Sequence, residues 1–419
     1  MMATHVGITV AGLNFFEVVT ILFTIVLAFI ALSSAFKNKA NVRMSMTERW
    51  MLAFIIWASL VTLFYYDIAD FKTYVKWVLP MITFMILRRG IQSDIQYKNL
   101  IGLMIVGFTL PVGLSTYMIA KGIQVGKEVY WTGLERYHGA YASIHDMGHS
   151  MALLFVSMTI FVLVSKTVSA KRTKALIVGR NILFVIMGLM ACYCLYKAQV
   201  RTAYVGIFVF IVVFLYLYSK KGLAVFGGIF VASLVVFGSI YYTIFFDIID
   251  SVKGERAAAE AGSGRIAIWT HNWDIYSELP LHRKVMGIGI GNKHGTATWK
   301  DSDIKEQAWD SHSDWIQVFM ATGPLGLVFM VGIFVSLFKS ILRIPGREKY
   351  AYIAFFASVV VMNAASNSYF ARFPLAQMFY MIMVYAEFPR RNRKESVIEN
   401  EVVITTKPPR VIYKQRNIQ

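Results

Sequence analysis

The residues best suited to chemistry stand at the ends of long apolar runs. Arg201 directly precedes an apolar segment, and Arg265 follows the turn formed by Gly262-Ser263-Gly264. A guanidinium presents planar donors that match phosphate oxygens, and the backbone N–H groups of a helix N-terminus add to such a site. The alternatives are an interfacial anchor for Arg201 and a surface position on a helix end for Arg265. The pair therefore predicts either a phosphate site or two solvated cations.

His312 lies in the segment Trp309 to Trp315, just before another apolar run. Its neighbours Asp310, Ser311 and Ser313 are residue types that cap helices, so one role of this cluster is to begin a helix. A histidine at that end feels the positive pole of the helix dipole, which disfavours imidazolium. The neutral imidazole that this favours is the form that acts as a general base. Base catalysis is therefore the second role that the sequence leaves open.

Other candidates carry weaker signals. Arg136 precedes a further apolar run, and pairing with Glu128 or Glu135 would account for it. Trp269, Trp309 and Asp310 are candidate contacts for a bound ligand. Tryptophans at the ends of apolar runs also form the aromatic belt of membrane proteins, which is the alternative for both.

Two patterns raise the question of a metal ion. Asp301-Ser302-Asp303 has the Asp-x-Asp form with which many nucleotide-sugar transferases hold a divalent cation, but so short a motif also arises by chance in an acidic loop. His145, Asp146 and His149 share one face of a predicted helix, where a hydrogen-bonded polar patch facing the bundle interior explains them. The sequence predicts neither a metal nor a cofactor.

The elements that position these residues are membrane spans. The chain is 57% hydrophobic and 16% charged, with uninterrupted apolar runs such as 15–36. Runs of ~20 apolar residues cross ~30 Å of hydrocarbon, whereas the strands of an outer-membrane barrel would alternate with period two. The sequence therefore predicts an all-α, polytopic transmembrane helical bundle of about 11–12 spans. The predicted spans are 15–36, 50–66, 73–88, 98–120, 141–164, 181–197, 201–218, 222–246, 313–338, 350–366 and 374–388, with Val6–Leu13 as a further short or re-entrant element.

The formal charge of +18 has a topological explanation. Lysine and arginine crowd into every second connection and into the C-terminal tail, which places those segments and the C-terminus in the cytoplasm by the positive-inside rule. Attraction to anionic membrane lipid accounts for this charge, so no nucleic-acid partner is expected. The candidate site residues then face the opposite side of the membrane.

The organisation along the chain follows from these spans. Residues 1–246 hold spans one to eight, 247–312 form one large outward-facing loop, 313–388 hold the remaining spans, and 389–419 form a basic cytoplasmic tail. Within the loop, Ile266, Trp269, Trp273 and Tyr276 recur at helical spacing, which predicts an amphipathic helix lying in the membrane interface. The run from Gly287 to Gly291 lacks βαβ surroundings, so it predicts a tight turn and excludes a dinucleotide site.

Four motifs in order give a family resemblance. They are Arg-Thr-Ala at 201–203, Ser-Gly-Arg-Ile-Ala-Ile-Trp at 263–269, Met-Gly-Ile-Gly-Ile-Gly-Asn at 286–292, and His312-Ser313 followed after nine residues by Gly323-Pro324-Leu325-Gly326. Their order and spacing around one outward loop resemble the O-antigen ligase and O-antigen polymerase family. The resemblance covers about residues 136–330, and the N-terminal third matches in hydropathy only.

The resemblance implies a GT-C-like enzyme of the bacterial inner membrane, with an active site that faces the periplasm. It implies a donor glycan on undecaprenyl diphosphate, diphosphate binding by Arg201 and Arg265, and His312 as catalytic base. Trp269, Trp309 and Asp310 are then candidate acceptor or sugar contacts. Arg136 matches an arginine that precedes the family motif Arg-x-x-Gly-x-Phe-x-x-Pro-Asn. Here Tyr141 replaces the phenylalanine and Pro-Asn is absent.

Several functions share this signature. The ligase pattern at His312 favours transfer of O-antigen polysaccharide to lipid A-core oligosaccharide. The alternatives are an O-antigen polymerase, whose acceptor is a second undecaprenyl-linked repeat, and a protein O-oligosaccharyltransferase. A polysaccharide or lipid transporter is a different class, and it would carry ionisable residues along a path at mid-span. The polar residues here gather at the outward ends of the spans, which favours an enzyme.

Overall fold

The structure is a computed structural model of the chain. It describes residues 9–10, 13–14, 43–65, 68–123, 127–129, 135–167, 174–233, 235, 265–291, 298–299, 307–308 and 311–388. These residues are mostly helical, so the predicted all-α bundle is confirmed. The helices in chain order are α1 (Met46–Tyr65), α2 (Ile68–Gly90), α3 (Asp94–Ala120), α4 (Ile144–Thr167), α5 (Lys174–Ala198), α6 (Arg201–Tyr218), α7 (Arg265–Glu278), α8 (Leu281–Met286), α9 (Asp314–Leu342), α10 (Lys349–Ala365) and α11 (Phe373–Met383).

The remaining regular structure is short. Residues 220–233 are also helical, and Val384–Ala386 add a 3₁₀ turn after α11. The strands form three antiparallel pairs: β1 (Thr9–Val10) with β2 (Leu13–Asn14), β3 (Lys127–Val129) with β4 (Glu135–Tyr137), and β5 (Thr298–Trp299) with β6 (Gln307–Ala308). The β1–β2 pair lies where the sequence suggested an additional short or re-entrant element.

The helices agree with the predicted spans. Six of the described helices are long and apolar enough to cross a membrane, namely α1, α3, α4, α5, α6 and α9, while α10 and α11 are shorter apolar helices. The chain is thus a multi-pass membrane protein. Helix α2 covers the predicted span 73–88 but also carries charged residues at both ends. The predicted span 15–36 and the end of 222–246 lie outside the described residues.

The bundle core is formed by long-range pairing of these helices. Helix α1 packs along α9, α2 along α11, and α6 along α10. In the last pair, the Ser358 hydroxyl donates to the Gly206 carbonyl at 2.7 Å, and a side chain at Gly206 would overlap Met362. Gly206 therefore allows α6 and α10 to approach closely. Small residues are common at such contacts, because within lipid the hydrophobic effect does not drive helices together and close packing must do so.

A buried ion network closes one pole of the bundle, where α1 begins and α2 ends. The fully buried Glu48 pairs with Arg88 at 2.9 Å and also with Arg89. Arg88 in turn approaches Glu387 at 3.6 Å, after the 3₁₀ turn. Because each charge has an opposite charge beside it, the desolvation cost of burying them is offset. This basic pole contains Arg88 and Arg89, which belong to one of the connections that the positive-inside pattern assigns to the cytoplasm.

Helix α9 is broken at Gly323, and the two glycine motifs meet at this break. Gly323 has φ +69°, and Pro324 has no N–H to donate to the Met320 carbonyl. The N–H groups of Ile288 and Gly289 instead donate to the carbonyls of Met320 (2.8 Å) and Ala321 (3.2 Å). Gly287 and Gly289 also have positive φ. The glycine run is therefore a turn that replaces the hydrogen bonds lost from α9.

Replacing Gly323 by alanine should destabilise the protein. The positive φ alone costs a residue with a Cβ about 1–2 kcal/mol, and this Cβ would overlap the carbonyl oxygen of Val285. We expect a loss on the order of 2 kcal/mol or more, seen as a lower unfolding temperature of the purified protein in detergent. Gly107→Ala is the matched control, because a Cβ at Gly107 meets open space. Equal unfolding temperatures for the two variants would contradict the proposed break.

Candidate functional site

His312 lies immediately before α9 in a rare backbone conformation. Its φ is +50°, which few residues other than glycine adopt. Such strain persists only where surrounding contacts enforce it. The Ser311 hydroxyl donates to the Ser313 carbonyl at 2.9 Å and contacts Gln317 Oε1 at 3.1 Å. The segment before α9 is therefore held in one shape, and the imidazole is half-buried.

The cap of α9 is Ser313, not His312. The Ser313 hydroxyl accepts from the N–H of Ile316 at 3.5 Å. The sequence left open whether the polar cluster caps a helix or supplies a base. Because the capping is carried by Ser313, beginning the helix does not require the imidazole.

The start of α9 is also fixed by the connection between α10 and α11. The fully buried carboxylate of Asp314 accepts the backbone N–H groups of Ser368 (3.0 Å), Phe370 (3.1 Å) and Ala371 (3.0 Å). Three such bonds compensate a buried carboxylate and tie two elements together. His312 is thus attached to a rigid junction of helix ends.

His145, in the first turn of α4, lies where the predicted site residues meet. Its ring centroid is 6.4 Å from that of His312 and 6.4 Å from that of His149. His149 is fully buried and its Nε2 lies 3.4 Å from Ser366 Oγ, so it belongs to the polar patch predicted for this face. His145 Nδ1 is buried without a hydrogen-bond partner among the described residues.

Arg265 is the first residue of α7 and reaches the same place. Its charge acts electrostatically on both His145 and His149. Four residues further on, the Trp269 indole N–H donates to the Ser311 carbonyl at 2.8 Å. Helix α7 therefore carries Arg265 towards the histidines and braces the segment that holds His312. The helix predicted from the aromatic spacing is present, and it begins at Arg265.

Arg201 is likewise the first residue of its helix, α6. Val200, the residue before it, is buried and packs on α4 at Gly148. The approach is so close that a Cβ added at Gly148 would lie 2.8 Å from Val200 Cβ. Gly148 directly precedes His149, so Arg201 lies at the same pole as the histidines. A cation in the first turn is repelled by the helix dipole. Two helices that each begin with arginine therefore concentrate positive potential at this pole.

Arg136 lies in β4 at the edge of this pole. It stands opposite Glu128 in the β3–β4 pair, which is one of the two partners that the sequence suggested. The next residue, Tyr137, has the Lys197 ammonium 6.0 Å above its ring, at the end of α5. The hairpin thus lies close to the segment that leads into Arg201.

Arg372 is a residue that the sequence reasoning missed. It lies between α10 and α11 and forms an ion pair with Asp146 at 2.9 Å, while its Nε donates to the Asn367 carbonyl at 2.7 Å. Its charge also acts on His145. The sequence signal that could have identified Arg372 is its place in a short outward connection between two apolar spans. Its partner Asp146, however, is far away in the sequence.

Some predicted residues lie outside the described part of the chain. These are Trp309 and Asp310, proposed as acceptor or sugar contacts, and Asp301 and Asp303 of the Asp-x-Asp pattern. Among the described residues, no group of three His, Cys, Asp or Glu side chains is arranged to hold a metal ion. The clustered groups are instead imidazoles and guanidiniums, which suit an anionic ligand and proton transfer.

One comparison with known proteins bears on this arrangement. A family model described as O-Antigen ligase matches residues 182–331, a little over a third of the chain. The matched segment contains Arg201, Arg265, His312 and both glycine motifs, so the resemblance drawn from those motifs is confirmed there. It supports O-antigen ligase or polymerase activity in the broad sense, with a lipid-linked glycan as substrate. A search of curated proteins finds no match to the chain.

Proposed function

We propose that the chain is an O-antigen ligase. It transfers O-antigen polysaccharide from undecaprenyl diphosphate to a sugar hydroxyl of lipid A-core, on the periplasmic side of the inner membrane. The observation that carries this proposal is the meeting of His312 and Arg265 around His145, within a segment that matches the O-antigen ligase family. The proposal gives each of these residues a role in one glycosyl transfer.

Arg201 and Arg265 bind the diphosphate of the donor. Each begins a helix, where a guanidinium and the N-terminal N–H groups together suit an anion. A diphosphate would add negative charge where two helix N-termini each begin with a cation, which is the favourable arrangement for a helix dipole. Arg136, near the lead into Arg201, adds positive charge at the edge of the site.

The leaving group requires little assistance beyond this charge. When the bond between the anomeric carbon and the diphosphate oxygen breaks, its electron pair stays on the diphosphate. Guanidiniums fixed in advance stabilise that developing charge more in the transition state than in the ground state. Protonation of the leaving group is unnecessary, because a diphosphate is stable as an anion.

His312 takes the proton of the acceptor hydroxyl. As that proton moves to the imidazole, the hydroxyl oxygen forms the new bond to the anomeric carbon from the side opposite the diphosphate. A single displacement of this kind inverts the anomeric centre. The rigid attachment of the segment around His312 supports this role, because a general base must be held within hydrogen-bond reach of its proton.

The position of the basic pole supports a periplasmic site. Arg88 and Arg89 end α2 at the pole where α1 begins, whereas His312 and Arg201 each lie at the start of a helix at the other pole. Positively charged connections remain in the cytoplasm. The histidine cluster then faces the periplasm, where lipid A-core and the assembled O-antigen meet.

A gel of lipopolysaccharide from a strain that lacks the chain tests the proposal. A ligase is expected to leave core without any O-antigen, and restoring the parent chain should restore the full ladder. A single retained repeat on the core would instead indicate the polymerase, because that enzyme extends chains and does not attach the first unit. An unchanged ladder would contradict both activities.

Transfer should also survive removal of divalent cations. The charge on the departing diphosphate is matched by guanidiniums, so EDTA is expected to leave the rate of the purified enzyme within twofold of its starting value. The measurement is initial-rate transfer before and after dialysis against EDTA. Full loss that Mg²⁺ or Mn²⁺ restores would make Asp301 and Asp303 metal ligands and contradict the role given to the arginines.

A further inference from the structure

A groove runs between α7 and α9, beside the segment that holds His312. It has a volume of ≈ 290 Å³, and its lining includes Trp269, Trp273, Trp315, Phe319 and Asn272. None of the described residues that line it is charged. Flat aromatic faces in a neutral groove bind apolar surfaces, which include the C–H face of a pyranose ring as well as a lipid chain.

Asn272 distinguishes between these two kinds of occupant. It is 2% exposed, and neither its amide nitrogen nor its amide oxygen has a hydrogen-bond partner in the described part of the chain. A buried amide without a partner costs free energy, which a hydrocarbon chain would not recover. A sugar hydroxyl both donates and accepts, so it satisfies this amide where a lipid chain does not.

The position of Asn272 along α7 places the groove relative to the proposed chemistry. Arg265, Trp269 and Asn272 follow at intervals of four and three residues, so they share one face of the helix. Arg265 and Asn272 are about 10 Å apart along the axis at 1.5 Å per residue. Trp269 lies between these two residues on α7, and its indole N–H donates to the Ser311 carbonyl. His312, the residue after Ser311, therefore lies between Arg265 and Asn272 along the helix axis.

We infer that this groove binds a neutral pyranose ring of the acceptor glycan, with Asn272 as its hydrogen-bonding residue. The inference rests on the proposed function. An in-line displacement needs the diphosphate on one side of the anomeric carbon and the acceptor on the other, with the base at the acceptor oxygen. Arg265, then His312, then Asn272 is the order along α7 that this geometry requires.

Steady-state kinetics of the purified full-length chain test the assignment, with lipid-linked O-antigen as donor and lipid A-core as acceptor. Asn272→Leu should raise the KM for the acceptor at least tenfold. The KM for the donor, and kcat at saturating acceptor, should stay within twofold. The unfolding temperature should not fall, because the substitution removes an unpaired buried amide; a structural role of Asn272 would lower it. Asn181→Leu, at an exposed amide on α5, is the matched control and should change none of these values.

The other outcomes distinguish failure of the acceptor subsite from failure of the proposed transferase function. An unchanged acceptor KM in an active Asn272→Leu variant would overturn the subsite and leave the transferase standing. A raised donor KM would overturn it as well, and would assign the groove to the lipid-linked donor. Absence of transfer by the parent chain with every glycan acceptor would contradict the proposed function and the subsite together.

Discussion

Replacing His312 by alanine should abolish glycan transfer in a protein that still folds and inserts. A positioned general base contributes typically 10²–10⁴-fold to a rate, and the neutral acceptor hydroxyl is a poor nucleophile without one. The imidazole lies beside His145, and the start of α9 that carries it is fixed by the buried Asp314 carboxylate. The measurement is the initial rate of transfer by purified variants at saturating donor and acceptor.

Two further substitutions separate chemistry from backbone strain. The positive φ of His312 disfavours alanine, whereas asparagine tolerates this conformation well. His312→Asn should therefore unfold at the temperature of the parent and still lose transfer. His282→Ala, at an exposed histidine on α8, should retain full activity. Transfer at the parent rate by His312→Asn would remove the histidine from the mechanism.

Local patterns were sufficient to predict most of the helices. Helix α6 begins at Arg201 and α7 at Arg265, as the sequence indicates, because the ends of apolar runs and a Gly-Ser-Gly turn are local signals. Capping residues likewise predicted the start of α9, and Ser313 is the cap. The side chains that meet at the histidine cluster come from separate helices, and the charge pattern and the motif order suggested only that they lie at one pole.

Contacts between distant segments account for what the sequence reasoning missed. Arg372 pairs with Asp146 across more than two hundred residues of chain, and nothing in either local segment specifies the partner. The break at Gly323 is similar, since the replacement donors Ile288 and Gly289 lie in a separate motif. Both features depend on how the helices pack, which hydropathy does not encode.

The role of Trp269 also depends on a contact between segments that are distant in the sequence. Its spacing predicted a place on an interfacial helix, and it was a candidate for stacking on a sugar. In the folded protein its indole N–H is committed to the Ser311 carbonyl, so its first effect is to position the segment of His312. A ring face that lines the groove remains compatible with sugar stacking.

Replacing Arg265 by alanine should lower kcat by about 10²–10³-fold, the usual cost of removing one preorganised donor to a developing negative charge. The effect should fall mainly on kcat, because the charge on the diphosphate grows in the transition state. Arg265→Lys should recover part of the loss, since it restores the charge but not the two parallel donors of a guanidinium. The measurement is kcat and donor KM for both variants, in the assay used for His312.

Arg283→Ala on α8 is the control, because the charge of this arginine acts on Tyr65, whereas Arg265 and Arg372 act on His145 and His149. It should leave kcat within twofold. If Arg201 and Arg265 hold one diphosphate, their effects must couple, so the double alanine variant should lose less than the product of the two single losses. Multiplying losses would mean that the two arginines act on separate groups. A shared diphosphate site would then be wrong even if each arginine matters.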